Sequence, residues 1–171
     1  MPDVLPFYKL IILYMLSRVD FTLTKIQISD FMMEKEYTNN FLSLQQAINE
    51  LIDAGLVEGN YIRNHTHLNI TEKGEETLSF FGNRIDYTIK TDIDSYLKEN
   101  GLKLRNEVSV LSDYMKASTG EYEAHLIAKD KGIRLVDITL SVPMEETAIS
   151  ICDKWQEKNQ EIYQYLVSQL F

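Results

Sequence analysis

The stretch 38–71, TNNFLSLQQAINELIDAGLVEGNYIRNHTHLNIT, constrains the fold more than any other part of the chain. It begins with polar residues suited to capping a helix. Apolar residues then recur three and four positions apart and so share one helical face; they are Phe41, Leu44, Ile48 and Leu51. Gly55 follows them, and glycine ends helices readily because it adopts the left-handed conformation at little cost. The pattern predicts a helix over 38–54.

A β-hairpin is predicted directly after this helix. Residues 56–58 and 67–70 have the composition of strands, and the polar stretch 60–66 between them is typical of a turn region. A helix followed by a hairpin is the order of a recognition helix and its wing, in which the helix enters the major groove of DNA. We therefore predict a recognition helix over 38–54 and a wing over 57–70.

Three further helices are predicted around this motif. Pro6 is placed to begin the first, whose stripe consists of Phe7, Leu10, Ile11, Tyr14 and Met15. Thr22 or Thr24 can cap the second, whose inner face would carry Ile26 or Ile28, Phe31 and Met32. Thr71 and Gly82 can bound the helix after the wing, which carries Leu78, Phe80 and Phe81. A winged helix-turn-helix domain over 1–82 is expected.

A connecting helix is predicted over 83–101, with Asn83 as its cap and Gly101 as its end. Ile85, Ile89 and Ile93 form an apolar stripe along it. This helix is expected to have little to pack against in the first domain. Two interpretations remain open: it covers the sheet of the second domain, or it pairs with the same helix of a second chain.

The remainder, 102–171, predicts a small domain with three strands and C-terminal helices. Apolar residues alternate with polar ones around two turn sequences, at 118–120 and 130–132, which is typical of an antiparallel meander. The other face of the sheet is also apolar, so we expect something to cover it. A helix over 144–158 and a final helix capped by Asn159 complete the domain. The predicted fold class is α+β.

The negative net charge of the chain is unfavourable for binding nucleic acid. The net charge is −9, and residues 1–84 carry seven basic and eleven acidic side chains. Affinity for DNA comes mainly from Lys and Arg neutralising phosphates, but a local face can differ from the average. One cysteine excludes an internal disulfide framework and fits a reducing compartment. No apolar run near the start is long enough for a membrane span, so a cytoplasmic protein is expected.

The residues predicted to contact DNA lie on the outward side of the recognition helix, on the second helix and at the wing tip. Asn and Gln can each make paired hydrogen bonds with an adenine edge, worth about 1–3 kcal/mol of discrimination. Basic and polar residues elsewhere would contact phosphates. The full set is Lys25, Asn39, Asn40, Ser43, Gln46, Asn49, Arg63, Asn64 and His65.

No pattern indicates catalysis. His65 and His67 are two apart on one strand, and with His125 they are too few for a metal site. Cys152 falls in the apolar stripe of a helix and is interpreted as a core residue. Neither a glycine-rich phosphate loop nor a strand-turn-serine motif is present. We expect no enzyme and no cofactor.

Two motifs carry a resemblance to known families. LIDAGLVE at 51–58 matches the helix-end pattern L-x-x-x-G-L-[VI]-E, and LNITEKG at 68–74 is similar to the wing-end pattern L-T-x-x-G, with Ile70 in place of the leucine. On these motifs, residues 6–81 resemble the winged-helix domains of bacterial regulators such as the multiple-antibiotic-resistance and phenolic-acid-decarboxylase repressor families. The whole chain, with CDKW at 152–155, resembles a bacterial domain-of-unknown-function family. This sequence departs from typical repressors in lacking basic residues on the recognition helix.

Two functions follow as hypotheses. The first is a homodimeric transcriptional regulator that binds double-stranded DNA and is open to control by an unidentified small-molecule effector. The second is a winged-helix module that binds another protein and does not contact DNA. Ile85, Ile89 and Ile93 are the candidate dimerisation residues of the first hypothesis.

Overall fold

The structure is a computed structural model that describes residues 4–62 and 64–171. The chain divides into two compact units, Met1–Val108 and Ser109–Phe171. The described residues form six α-helices and two three-stranded antiparallel sheets, so the fold class is mixed α+β. Each unit has its own cluster of buried apolar side chains.

The first unit contains five helices and one sheet. In chain order, the elements are α1 (Leu5–Ser17), β1 (Leu23–Thr24), α2 (Lys25–Glu34), α3 (Phe41–Asp53), β2 (Val57–Ile62), β3 (His65–Ile70), α4 (Glu72–Phe81), a 3₁₀ turn (Gly82–Arg84) and α5 (Tyr87–Ser109). The strand order is β1-β3-β2. The short strand β1, which the sequence did not predict, pairs Leu23 with Leu68 and Thr24 with His67.

Side-chain caps determine where α2 and α3 begin. The Thr24 hydroxyl accepts a hydrogen bond from the Gln27 N–H at 3.1 Å, and the Gln27 side chain accepts from the Thr24 N–H at 3.0 Å. This reciprocal pair satisfies two backbone donors that a helix start leaves free. Asn40, not Thr38, caps α3, so the helix begins three residues later than predicted. Gly55 follows with φ 73°, as the predicted helix end requires.

Gly74 explains the glycine of the wing-end motif. A Cβ at this position would lie 2.1 Å from the backbone oxygen of Leu56 and 2.8 Å from Cγ1 of Ile70. The Thr71 hydroxyl accepts from the Gly74 N–H at 3.1 Å, which confirms Thr71 as the cap of α4. Only a residue without a side chain lets α4 approach the backbone at Leu56, directly before β2, this closely.

The first core is built from α1, α2, α3 and the sheet. Its fully buried members include Ile11, Ile12, Ile28, Phe31, Leu44, Ile48 and Leu68. Phe41, which was predicted to lie on the inner face of α3, is instead exposed, and so are Phe80 and Phe81 on α4. Phe41 opens α3, and a helical side chain leans over the turn before its own Cα, which here does not exist. Phe7, on α1, is exposed as well.

Helix α5 belongs to this core. Ile93, Leu97 and Leu104 are buried in the same cluster as α1 and α2, and Ile89 packs against it. The expectation that this helix has little to pack against in the first unit is therefore wrong. The dimer role inferred for Ile85, Ile89 and Ile93 has to be corrected accordingly, because two of these side chains are buried and the third is partly buried in their own chain.

The ends of α5 also differ from the prediction. Asp86, rather than Asn83, caps the helix by accepting a hydrogen bond from the Thr88 N–H at 3.0 Å. Gly101 does not end the helix, which continues to Ser109. The buried Leu104, one turn beyond Gly101, shows why: ending the helix there would expose an apolar side chain that the core accommodates.

Polar contacts tie α5 to α1 and α2. The Tyr14 hydroxyl donates to both carboxylate oxygens of Asp94, at 3.1 and 3.0 Å. The Tyr37 hydroxyl donates to Asp92, and the Gln27 amide donates to the Leu104 backbone oxygen at 3.2 Å. Burial, and then the hydrogen bond with Asp92, raise the pKa of Tyr37 to about 12.

The second unit is a three-stranded sheet with one long helix. Its elements are β4 (Val110–Lys116), β5 (Tyr122–Asp130), β6 (Ile133–Val142) and α6 (Glu145–Leu170). The order β4-β5-β6 confirms the antiparallel meander. One helix replaces the two that were predicted, because the Asn159 amide donates to the Trp155 backbone oxygen at 3.0 Å inside the helix instead of capping a new one.

Trp155 is the centre of the second core. It is buried with Leu126, Ala128 and Val136, and its indole N–H donates to the Ile127 backbone oxygen at 3.1 Å. On the face expected to be covered, Ile127 is buried. Nothing in the described part of the chain covers Met115, Ile133 or Leu135, which are exposed.

Gly74→Ala tests the close approach of α4. We expect it to lower the free energy of unfolding by about 3 kcal/mol, the upper end of the range for overpacking. Gly101→Ala is the matched control, since no described residue lies within 4 Å of its added Cβ. This substitution should raise the free energy of unfolding by about 1 kcal/mol, because alanine is the better helix former. Urea unfolding measures both, and an equal effect at the two sites would contradict the packing described.

Tyr37→Phe tests the hydroxyl contact with α5 through pH. The folded pKa of Tyr37, about 12, lies above the ordinary value of 10.0. Between about pH 10 and pH 12 the folded chain therefore retains a proton that the unfolded chain releases. The stabilisation of the fold by the Tyr37 hydroxyl is complete below about pH 10 and is lost as pH rises towards 12. Urea unfolding at pH 8 and pH 11 should show a smaller loss for Tyr37→Phe than for wild type. The exposed Tyr87→Phe is the control, and an equal change in both variants would refute the assignment.

Candidate nucleic-acid interface

The outward side of α3 is open to solvent. Asn39, Leu42, Gln46, Asn49 and Asp53 are exposed, and we call these five residues the outer face. Leu42 is 78% exposed, the largest fraction among the apolar residues of this helix. The opposite side, with Leu44, Ala47, Ile48 and Leu51, is buried. The helix is therefore held by its inner side, and the outer face remains available for a partner.

Two of the residues predicted to contact DNA, Asn40 and Ser43, are partly committed to the structure at the start of α3. The side-chain oxygen of Asn40 accepts hydrogen bonds from the N–H groups of Leu42 and Ser43, at 3.1 and 3.2 Å. Asn40 is a cap, and its amide NH₂ is the part left for a partner. Ser43 is half-buried. The exposed side chains of Asn39 and Gln46 make no hydrogen bond with another described residue and are the amides most free to make paired hydrogen bonds.

Lys25 joins α2 to this face. Its Nζ lies 3.4 Å from the side-chain oxygen of Asn49. The structure brings together these two predicted residues, which are 24 positions apart in the sequence. A cation beside a neutral amide is an arrangement that can neutralise a phosphate while the amide faces a base edge.

Negative charge is confined to the last turns of α3. Glu50 lies 3.6 Å from the Nζ of Lys9 on α1, and its other oxygen is buried without a hydrogen-bond partner among the described residues. Asp53 is exposed in the final turn. The first two turns carry no charge. Since helices in major grooves make contact through their N-terminal residues, the acidic end lies away from such a contact.

The β2–β3 hairpin spans the predicted range 57–70, but its strands are longer than the sequence indicated and pair as far as Ile62 with His65. Asn64 adopts φ 66° there, and its side-chain oxygen accepts a hydrogen bond from the Tyr61 hydroxyl at 3.2 Å. His65 is exposed beside it. The predicted phosphate contact Arg63 lies outside the described residues.

The three histidines do not form a common site. His67 is buried, and its Nδ1 lies 3.2 Å from the Thr22 hydroxyl. His125 belongs to the second unit, where its Nε2 is 2.5 Å from Asp137; this hydrogen bond, more than the nearby Arg134, lowers the pKa of Asp137. No group of three metal-ligating side chains occurs among residues 4–62 and 64–171.

Sequence reasoning missed two large exposed side chains, one at the start of α3 and one in the β2–β3 hairpin. Phe41 is 49% exposed at the start of α3, and Tyr61 is 72% exposed near the hairpin turn. The position of Phe41 in the first turn of a helix was a usable signal. No comparable sequence signal marks Tyr61. Both are exposed apolar side chains of the first unit that the set of predicted contact residues does not include.

Asn40→Ala distinguishes the cap from the outer face. We expect it to lower the free energy of unfolding by about 1 kcal/mol, because two backbone donors lose their acceptor. Gln46→Ala removes no internal hydrogen bond and should change stability by less than about 0.5 kcal/mol. Urea titrations compare the two variants, and a destabilising Gln46→Ala would mean that Gln46 is structural.

Comparison with known proteins supplies a family. No curated protein and no solved structure matches the chain significantly. Among the helices that the structure describes, none has the length and apolarity needed to cross a membrane. A family model described as "Domain of unknown function (DUF4364)" matches residues 8–170. Because that match covers nearly the whole sequence, the chain belongs to the DUF4364 family.

Proposed function

We propose that the first unit is a winged helix-turn-helix that binds double-stranded DNA. In this proposal α2 and α3 form the helix-turn-helix, α3 enters the major groove, and the β2–β3 hairpin is the wing on the sugar-phosphate backbone. The chain would act as a transcriptional regulator in the cytoplasm and would not be an enzyme.

One observation carries the proposal: the outer face of α3 exposes neutral amides, one of which lies next to a cation. Gln46 and Asn49 are exposed, and Lys25 reaches Asn49 from α2. Paired hydrogen bonds from amides suit adenine edges, and an apolar side chain such as Leu42 suits a thymine methyl group. The outer face therefore has the chemistry to recognise A·T pairs.

The small number of basic residues determines how DNA binding should depend on salt concentration. No Lys or Arg lies between positions 38 and 62, so few phosphates can be neutralised from α3 and β2. Each phosphate contact contributes about 0.9 to the slope of log affinity against log salt. We expect a shallow salt dependence, of roughly two to three contacts, in which base contacts supply an unusually large share of the affinity.

A regulator that binds two half-sites requires a dimer. The stripe at Ile85, Ile89 and Ile93 is occupied within the chain, so the proposed homodimer would use another surface. Exposed apolar side chains on α6, such as Tyr165 and Leu170, are available for it. A small-molecule effector stays part of the proposal.

A protein-binding module is the second candidate. Phe41, Leu42 and Tyr61 are all largely exposed, and large apolar and aromatic side chains often anchor protein interfaces. The net charge of −9 fits this candidate better than it fits DNA. It predicts no salt-dependent retention on DNA even at low ionic strength.

Binding by variants tests the first candidate. Fragments bound by the full chain are selected from random DNA, and affinity is then measured for a selected and a scrambled fragment. Gln46→Ala should cost about 1–3 kcal/mol on the selected fragment only. Lys25→Ala and Arg63→Ala should weaken both fragments, and Lys25→Ala should reduce the salt slope by about 0.9.

Gln160→Ala, an exposed glutamine on α6, is the matched control and should change neither affinity. An equal loss on both fragments for Gln46→Ala would remove base recognition by this residue. Failure to enrich any fragment at low salt would overturn DNA binding and favour the second candidate.

A further inference from the structure

A cleft of about 560 Å³ lies in the first unit, between the loop 17–21 that follows α1 and the middle of α5. Its volume falls within the range of sites that hold small molecules. None of the residues of the outer face lines it. The DNA-binding proposal therefore makes no use of this cleft.

Part of the charge around the cleft is already neutralised. The Nε of Arg18 lies 3.0 Å from one oxygen of Asp94, which also accepts from the Tyr14 hydroxyl. The terminal NH₂ groups of Arg18 donate to no residue in the described ranges, and half of this side chain is accessible. The ion pair therefore holds the guanidinium in place while its outer edge is open to a ligand.

Two charges of opposite sign remain. Asp20 and Lys98 both line the cleft, both are exposed, and neither forms an ion pair with another described residue. The apolar part of the lining consists of the partly buried Val19 and Phe21 together with the buried Leu97. A ligand that pairs with Lys98, pairs with Asp20 and covers the apolar lining carries an anionic group, a cationic group and an apolar part.

Gly101 is a second, independent observation. It lies inside α5, where glycine costs about 1 kcal/mol relative to alanine, and it lines the cleft. Nothing lies within 4 Å of the position that its Cβ would occupy, so packing does not require glycine here. The missing side chain leaves the wall of the cleft open.

We propose that this cleft binds a small zwitterion of the α-amino-acid class with an apolar side chain. The ligand carboxylate pairs with Lys98 and the outer edge of Arg18, the ammonium group with Asp20, and the side chain lies on Leu97. Gly101 provides the space. Asp94 holds Arg18 and does not contact the ligand.

The position of the cleft connects it to the helix-turn-helix. The loop 17–21 leads directly into β1, which pairs with β3 of the hairpin through Leu23 and Leu68, and Thr24 at its end caps α2. A ligand that orders this loop acts on both elements. This regulatory role rests on the proposed function; ligand binding itself does not.

Calorimetry on the full chain without DNA tests the site. The twenty common amino acids are titrated singly at millimolar concentration, and at least one with an apolar side chain should bind. Its analogues lacking the amino group or the carboxylate should bind about tenfold more weakly each. Absence of binding by every amino acid, or equal binding by the analogues, would overturn the zwitterion site.

Variants locate the site. Gly101→Phe should abolish binding by filling the cleft, whereas Gly101→Ala should retain it. Lys98→Ala should weaken binding about tenfold, and Lys103→Ala, exposed on the same helix, should leave it unchanged. Unchanged binding in both Gly101→Phe and Lys98→Ala would overturn the location.

A last arm separates the two proposals. If ligand binds, its effect on affinity for the selected DNA fragment is measured. A change in DNA affinity of about fivefold or more supports the regulatory coupling, because fivefold is the lower end of typical allosteric effects. No change overturns the coupling and leaves the ligand site standing, whereas failure to bind DNA both with and without ligand overturns the proposed function alone.

Discussion

The burial of α5 against α1 and α2 is the interaction on which the rest of the first unit depends. Ile93, Leu97 and Leu104 enter the core that the sheet and α3 share. Tyr14 and Tyr37 add hydrogen bonds to aspartates on α5, so the helix is fixed in both position and rotation. Apolar burial supplies most of the stabilisation, and the directional hydrogen bonds determine which side of α5 faces inward.

This packing has consequences for both proposed sites. With its inner side held by the core, α3 keeps an outer face of exposed amides and Leu42 beside Lys25. The same docking of α5 creates the cleft between this helix and residues 17–21. The DNA-binding proposal and the ligand proposal therefore rest on one structural element, although different residues would carry them.

The order of elements could be predicted because it depends on local chemistry. Thr24, Gly55 and Thr71 cap or end their helices as expected, and the turns at Gly120 and Gly132 define the meander. The partner of α5 could not be predicted, since an apolar stripe shows that something covers it and not what does. For the same reason Gly101 looked like a helix end, although the burial of Leu104 beyond it keeps the helix intact. Lys25 and Asn49 were both predicted, but their contact depends on how α2 packs against α3.

Native-state hydrogen exchange of the full chain tests the docking of α5 most directly. If α5 belongs to the core, the amides of Ile93 and Leu97 should exchange with about the same free energy as those of Ile12 in α1 and Ile48 in α3, because all four open only when the unit unfolds. Exchange of the α5 amides at a free energy several kcal/mol lower, with α1 and α3 still protected, would show that α5 detaches by itself and would contradict the account.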